Sequence, residues 1–492
     1  MKKDSILDRF IGFFSPRAKY KRDSFKAAAE LVRKYEAAST SKRTSGWRAM
    51  GSSANAEIET SLVTLRNRSR QLSRDNPFMA RALQVITNNT VGKGIFTQVK
   101  TANDLARQEQ LDRVWKAWAN TTAVDHDGIH TYGGIQRLIM RSVVESGEVL
   151  VRLRRTQERS IRGPDGEFVS VPPIQLQVLE SDFLDSHMIS DKENQSGRII
   201  QGVEFDADGK RIAYHLYREH PGHTGVFNVS RETVRIPADE ILHIYRMDRP
   251  GQVRGVPWAA PSMLKLKDFD EFEDAQLVRQ KVAACFSVFI RDLDGPDSGP
   301  MPLDGEVGEK LSPGTIEILP PGKDISFASP PPTESYGEYS RTVLRGIAAG
   351  LGVSFEGMAG DYSQFNFSSG RLSFLEMNRN VEGWRSNILI PQFLNPVFEH
   401  FLNGLELLGH ETQGVRAVYT PPRREMIDPL KEVQALKESV RSGLLSQSEA
   451  IRNSGQDPQR HYEEMAEDNK KIDELGLVLD TDPRQDSSPG QP

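Results

Sequence analysis

The sequence predicts an α+β fold that is mainly helical, on three observations. Apolar residues recur at three- and four-residue spacing over residues 55–89 and in most of the chain beyond Pro257. Between these stretches, over residues 148–247, the period falls toward two, as in strands whose successive side chains face opposite ways. Helix starts and stops are written out as Asp75-Asn76-Pro77, Gly92-Lys93-Gly94, Asp428-Pro429 and Asp457-Pro458.

The first helical stretch carries Ile58, Leu62, Leu65 and Leu72, then Met79, Leu83 and Ile86. Pro77 restarts it near a first turn, where its missing N–H costs nothing, and Gly92 and Gly94 stop it. Residues 104–119 form the next helix, with Trp115 and Trp118 three apart on one face, as core or subunit contact. Residues 149–153 and 174–179 read as a hairpin with its turn at Gly163-Pro164-Asp165-Gly166. Residues 200–205 and 212–217 pair around Asp208-Gly209, and residues 241–245 add a short strand.

Residues 257–291 are helical by length and by lack of internal Gly or Pro. Met263, Leu266, Phe269, Leu277 and Val278 spread around the wheel with Asp268, Asp270, Glu271, Glu273 and Asp274 between them. A helix apolar on several sides is contacted from more than one direction. Residues 292–322 are an insert rich in Gly, Pro and Asp with one strand-like run, 315–319, and Pro330-Pro331-Pro332 is a stiff polyproline lead-in. In the next helix Tyr336, Tyr339, Val343, Ile347 and Leu351 share a stripe, opposite Glu334, Glu338, Arg341 and Arg345.

A loop of Gly, Ser, Asn and Gln at residues 359–371 precedes a helix over residues 372–390, which Pro391 and Pro396 are expected to kink or break. Three helices end the chain. Leu430, Val433, Leu436 and Val440 form the first stripe, Gly443 ends it, Ser446 and Glu449 make a capping box, and Gly476 closes the last helix. Beyond Thr481 the composition is that of a disordered tail.

Net charge at pH 7 is -5 over 492 residues, so global electrostatics do not announce a nucleic-acid binder. The distribution is uneven: the first 48 residues hold about eight excess positive charges, and the chain from Glu425 about seven excess negative ones. The single cysteine, Cys285, excludes an intramolecular disulfide and a cysteine zinc site. No apolar run reaches membrane-spanning length, and no cleavage site follows the patchy apolar start, so a cytoplasmic product is expected.

Catalytic constellations are missing. There is no P-loop and no His-Glu-x-x-His, and His400 and His410 stand ten apart, which is no metal spacing. Ser262-Met263-Leu264-Lys265 matches an acyl-enzyme spacing without its companion motifs. Asp292-Leu293-Asp294-Gly295-Pro296-Asp297 is close to a calcium loop, but its Gly comes early and no Glu closes it. The carboxylates of residues 268–274 point to several faces of one helix and cannot converge on a metal pair. The first two tail helices outline a helix-turn-helix, yet residues 447–453 carry one Glu and one Arg where a DNA reader is basic. No catalytic residue, metal or cofactor is expected.

Several blocks, in order, resemble the lambda-type portal family of tailed bacteriophages. They include Leu65-Arg66-Asn67-Arg68-Ser69-Arg70, Asn88-Asn89-Thr90-Val91-Gly92-Lys93-Gly94-Ile95 and Gly147-Glu148-Val149-Leu150-Val151-Arg152. Pro250-Gly251-Gln252-Val253-Arg254-Gly255-Val256-Pro257, Pro313-Gly314-Thr315-Ile316-Glu317-Ile318-Leu319 and Gly360-Asp361-Tyr362-Ser363 with Ser368-Ser369-Gly370-Arg371 follow.

The resemblance implies one subunit of a ring, typically of twelve, at one vertex of a phage head, in the virion after assembly in the host cytoplasm. Residues 1–50 would be a basic arm, 51–257 a wing, 258–290 and 334–353 paired stem helices, and 291–333 the clip. Residues 354–371 would be the tunnel loop, 372–424 a kinked helix returning to the wing, 425–480 the crown and 481–492 a free tail. Implied partners are copies of itself, double-stranded DNA held without sequence preference, the terminase large subunit, major capsid and scaffold proteins, and head-tail connector proteins, with no membrane. Asp361, Tyr362, Gln364, Asn366 and Ser368 are expected to line the constriction, with Arg371 and Arg345 either touching phosphates or pairing between subunits. Asp292, Asp294, Asp297, Asp304 and Glu306 are expected to meet terminase or connector. The competing readings are a scaffolding or adaptor protein without a channel, and a nuclease or hydrolase using the acidic cluster.

Overall fold

Asn76 and Pro77 divide the first helices as the sequence predicts. In the computed structural model α1 (Ala54–Glu59) and α2 (Leu62–Asp75) precede α3 (Pro77–Thr90), and the buried Asn76 side chain accepts the Met79 N–H at 2.8 Å. The structure describes residues 51–479 except 103, 164–165, 192–196, 224–231, 285–287, 293–322, 328–335, 364–365 and 424–427, with isolated positions before residue 51. The basic arm, Cys285, the run 315–319, the triple proline, the tail, and Asp294, Asp297, Asp304, Glu306 and Gln364 therefore lie outside the described residues. The chain divides after Ser53, and every element below belongs to the unit that begins at Ala54.

Gly92 and Gly94, at φ +55° and +124°, turn the chain into β1 (Phe96–Lys100). α4 (Leu105–Ala119), capped by Asp104 on the Arg107 N–H at 2.9 Å, buries Trp115 and Trp118 completely enough to settle their role as core. Trp115 meets Phe401 edge-on at 4.8 Å, and the Trp118 Nε1–H donates to the Ile174 carbonyl at 3.1 Å. α5 (Tyr132–Ser146), which the sequence reading passed over, is the most thoroughly buried helix of this region, with Ile135, Ile139, Met140, Val143 and Val144 all inaccessible.

The predicted hairpin is half right. β2 (Glu148–Arg155) and β5 (Ile174–Glu180) do pair antiparallel, with Val151 opposite Val178. The turn at 163–166, however, closes an inner hairpin of β3 (Arg159–Arg162) and β4 (Phe168–Val171), because the strands bordering the turn pair locally first. A second, five-stranded sheet is built from β6 (Ser190–Asp191), β7 (Arg198–Ile200), β8 (Val203–Phe205), β9 (Arg211–Tyr217) and β10 (Thr233–Pro237). The pair expected around Asp208-Gly209 is β8 with β9. β11 (Ile241–Tyr245) completes the first sheet on the other side of β2.

α6 (Met263–Ala284) stops short of the predicted end. Val288-Phe289-Ile290 forms β12 (Val288–Asp292), paired antiparallel with β13 (Lys323–Phe327), since β-branched and aromatic residues favour a strand wherever a partner strand is offered. The start of α6 is buried through Met263, Leu266 and Phe269, whereas Leu264, Leu277 and Val278 are exposed. In α7 (Tyr336–Leu351) the predicted stripe holds for Ile347 and Leu351, joined by Leu344 and Ala348. Tyr339 is half exposed, its ring 4.7 Å from Phe272 of α6.

A short α8 (Phe355–Ala359) leads to α9 (Phe367–Trp384). The expected break at Pro391 does not occur. A π-helical turn, Arg385–Leu394, carries α9 straight into α10 (Asn395–Leu407). The Asn395 N–H reaches back five residues to the Ile390 carbonyl, a wider turn that leaves more room for the Pro391 ring, and Pro396 falls in the first turn of α10, where proline is tolerated. β14 (Arg416–Thr420) then pairs antiparallel with β1, far earlier in the sequence, Gln98 opposite Val418. The tail helices are α11 (Pro429–Arg441), α12 (Gln447–Asn453) and α13 (Pro458–Leu475). The Ser446 side chain accepts the Glu449 N–H at 3.1 Å, and no residue of α11 is buried.

Candidate nucleic-acid interface

The loop between α8 and α9 leaves a helix, α8, that is capped at both ends. Ser354 Oγ accepts the Gly357 N–H at 3.2 Å to start α8, and Gly360 ends it in the left-handed conformation at φ +70°. Asp361 comes next. Its carboxylate accepts the Ser363 hydroxyl at 2.6 Å, the Ser363 N–H at 3.0 Å and Arg341 Nε of α7 at 3.0 Å. The Ser363 bonds first, and then Arg341, hold its carboxyl down at about 2. Asp361 is thus ionised at any working pH and ties the loop to α7.

The structure brings Asp361, Tyr362 and Asn366 together in this one loop, with Tyr362 57% exposed and Asn366 exposed beside it. Ser368 lies in the first turn of α9. The two arginines are placed elsewhere. Arg345 sits with its guanidinium 5.3 Å from the centre of the Phe355 ring, an attraction between cation and ring face. Arg371 lies near the start of α11: the Asp428 carboxyl is lowered chiefly by its hydrogen bonds with Lys431, and the Arg371 charge adds to the effect. Asp292 ends β12, the last described residue before the insert.

The carboxylates of α6 have separate partners. Asp270 accepts the Asn76 amide at 2.6 Å, Glu273 the Tyr336 hydroxyl at 3.2 Å, and Glu271 pairs with Lys267 at 3.1 Å. Glu180, Asp182 and His220 lie close enough together to hold a cation, but Arg70 Nη2 already stands there, 2.6 Å from Asp182 and 3.1 Å from Glu180.

Sequence reasoning missed the strongest electrostatic feature. Glu148 opens β2 fully buried, and Arg254, also fully buried, meets it with Nε at 2.9 Å and Nη2 at 2.5 Å. The Gly255 N–H adds 2.8 Å and His243 Nε2–H 2.9 Å. Burial pushes the Glu148 carboxyl up, but Arg254 and His243 outweigh it and hold it well below the usual range. Burial lowers His243, which therefore donates as a neutral ring. Arg66 extends the cluster to Asp182 at 3.3 Å. The close approach requires glycine: a Cβ on Gly255 would stand 2.2 Å from the Gly147 carbonyl oxygen, and Gly147 itself has φ +91°. Residues 250–257 thus serve a buried lock between β2 and the segment that leads into α6. Its signal in the sequence was a charge at the head of an apolar strand, Glu148-Val149-Leu150-Val151, where a solvated end was the easier reading.

A family model described as phage portal protein, lambda family, matches residues 40–385. The probable portal protein of Halomonas phage phiHAP-1 is 25% identical over 470 residues, 91% of this chain and 88% of its own. Portal protein B of Escherichia phage lambda is 22% identical over 494 residues, 88% of each chain. Among solved structures, a chain from the virion of a native gene transfer agent particle aligns at TM-score 0.46 and 16% identity, over 80% of this chain and 93% of that one. An HK97-family phage portal protein from Corynebacterium diphtheriae aligns at TM-score 0.31 and 11% identity, over 73% and 94%.

Proposed function

Because this chain belongs to the lambda family of phage portal proteins, we propose that it is the ring subunit through whose central channel double-stranded DNA is packaged by terminase and later ejected, with twelve copies as the expected ring. The family match over residues 40–385 carries this reading. In it, residues 51–257 are the wing, α6 and α7 the stem, residues 291–333 the clip that meets terminase and then connector proteins, residues 354–371 the tunnel loop, and residues 425–480 the crown. Capsid and scaffold proteins meet the outer surface.

The chemistry of the loop supports its place in the channel. A conduit must not grip its cargo, because each phosphate neutralised by Lys or Arg adds affinity. Tyr362, Gln364, Asn366 and Ser368 offer polar, uncharged contact, while Arg341 is spent on Asp361, Arg345 on Phe355, and Arg371 lies toward Asp428. Asp361 then acts as the anchor of the loop more than as a lining group. Purified protein imaged by negative stain should show closed rings with a central hole and no intrinsic ATP hydrolysis; open or monomeric particles would favour an adaptor and end the channel reading.

A further inference from the structure

The β-rich block contains a concavity of about 640 Å³ between the two sheets, lined by β2, β5, β9 and β10. Its floor is apolar, with Leu216 and Ile236 buried and Leu179 beside them. One wall is a pair of arginines, Arg152 and Arg154, two apart on β2 and so on one face. Arg154 Nε donates to Gln177 Oε1 at 2.8 Å, and among the described residues no carboxylate stands within ion-pair distance of it. Burial first, and the Arg152 charge next, disfavour its cation. Arg152 pairs loosely with Glu240 at 3.5 Å. The rim adds Arg218, 3.7 Å from Glu232, with both side chains well exposed.

Two adjacent guanidiniums, Arg154 with no ion-pair partner among the described residues and Arg152 only loosely paired, suit a carboxylate, which accepts two parallel N–H bonds, and the floor suits an aliphatic side chain. A DNA duplex fits poorly. Glu219, Glu232 and Glu240 confine the positive charge to a patch that one carboxylate can fill, not the continuous track that a phosphate backbone requires, and a floor of Leu and Ile offers phosphate nothing. Weak pairs such as Arg152 with Glu240 are cheaply exchanged for an incoming acid. We propose that this concavity is a docking site for an acidic peptide segment of a partner protein, which sets a Glu or Asp carboxylate on Arg152 and Arg154 and an apolar side chain on Leu179, Leu216 and Ile236.

The test is fluorescence anisotropy with full-length protein and a labelled octapeptide of alternating Glu and Leu, at about 0.15 M salt. Saturable binding is expected, weakened at least about ten-fold by Arg152→Gln with Arg154→Gln, and by a smaller factor in Arg218→Gln, whose exposed rim position spares the fold. The matched octapeptide of Lys and Leu should not bind. Thermal unfolding of each variant, unchanged, separates lost contact from lost structure. Absence of binding to the unmodified protein, equal binding by the Arg152/Arg154 and Arg218 variants, or equal competition by a duplex of roughly 20 base pairs would each overturn the proposal, the last by making the surface a nucleic-acid site.

Discussion

Arg254→Leu should destabilise the subunit by about 3 kcal/mol, for a reason that a second substitution can isolate. Native Glu148 is served by Arg254 twice, at 2.9 and 2.5 Å, by the Gly255 N–H at 2.8 Å and by His243 at 2.9 Å. The substitution removes the guanidinium, including its Nη1 bond to the Gln201 carbonyl at 3.0 Å, and leaves a buried carboxylate beside a neutral imidazole. Losing one partner of a buried pair costs about 3–5 kcal/mol. Arg66 Nη1 stands 3.9 Å from Glu148 Oε1 and can close part of the gap, which sets the expectation at the lower end. Adding Glu148→Gln removes the orphan charge while keeping an acceptor for Gly255. The double variant should therefore be more stable than the sum of the single losses by about 1.5 kcal/mol or more. The pH dependence has a definite sign. A carboxyl held below its free value contributes stability that is present above about pH 4.5 and lost as pH falls through its folded pKa. In Arg254→Leu the folded carboxyl rises above that value, so the variant's penalty is largest at pH 7 and shrinks toward pH 5. Urea denaturation at both pH values measures this. A loss under about 1 kcal/mol, full additivity, or a deficit that widens in acid would refute the reasoning.

Gly255→Ala should cost several times what Gly209→Ala costs, because the first Cβ meets the Gly147 carbonyl at 2.2 Å while the second, though at φ +81°, has nothing within 4 Å; thermal unfolding compares them, and equal losses would remove the lock. Leu277→Asp with Val278→Asp should leave the subunit folded, since both are at least half exposed, yet abolish rings by light scattering. Arg341→Ala frees Asp361 and with it the loop, so packaged DNA length or retention should change while rings still form; unaltered packaging would deny the loop its anchor. Gln364→Trp with Asn366→Trp should narrow the channel and reduce packaging, and normal packaging would take these residues out of the lining.

The sequence disclosed elements whose rule is local, and hid those set by distant partners. Asn76-Pro77, Ser446 with Glu449, and Gly476 each act within one helical turn, and each stands where it was read. β1 was illegible because its partner is β14, some three hundred residues on; a five-residue strand alone carries too little pattern. Pro391 misled for the opposite reason. Proline can donate neither an α nor a π bond, but the wider π turn makes room for its ring against the preceding turn, and Ile388, Leu389, Phe393 and Leu394, all buried, hold that turn in place through packing that no local rule encodes. The loop was read over residues 359–371, but the following helix already begins at Phe367, and the Arg341 tie that orients the loop depends on α7 lying alongside.

The exposed apolar residues of α6 fit the proposed ring of subunits. Taking 100° per residue, Leu277 lies within about 20° of Leu266 and continues the face that Met263, Leu266 and Phe269 bury, but beyond the part their own subunit covers. Leu264 and Val278, fourteen apart, fall within about 40° of each other on a different side, 70% and 58% exposed. A two-fold dimer would need one such patch, meeting itself. A closed ring is built from head-to-tail contacts, which need two unlike surfaces on every subunit, and α6 presents apolar groups in both directions. In the proposed stem, the acidic residues between them would keep the helix soluble until neighbours arrive, so the mixed pattern that defeated a one-stripe reading of residues 257–291 fits a wall helix flanked on both sides.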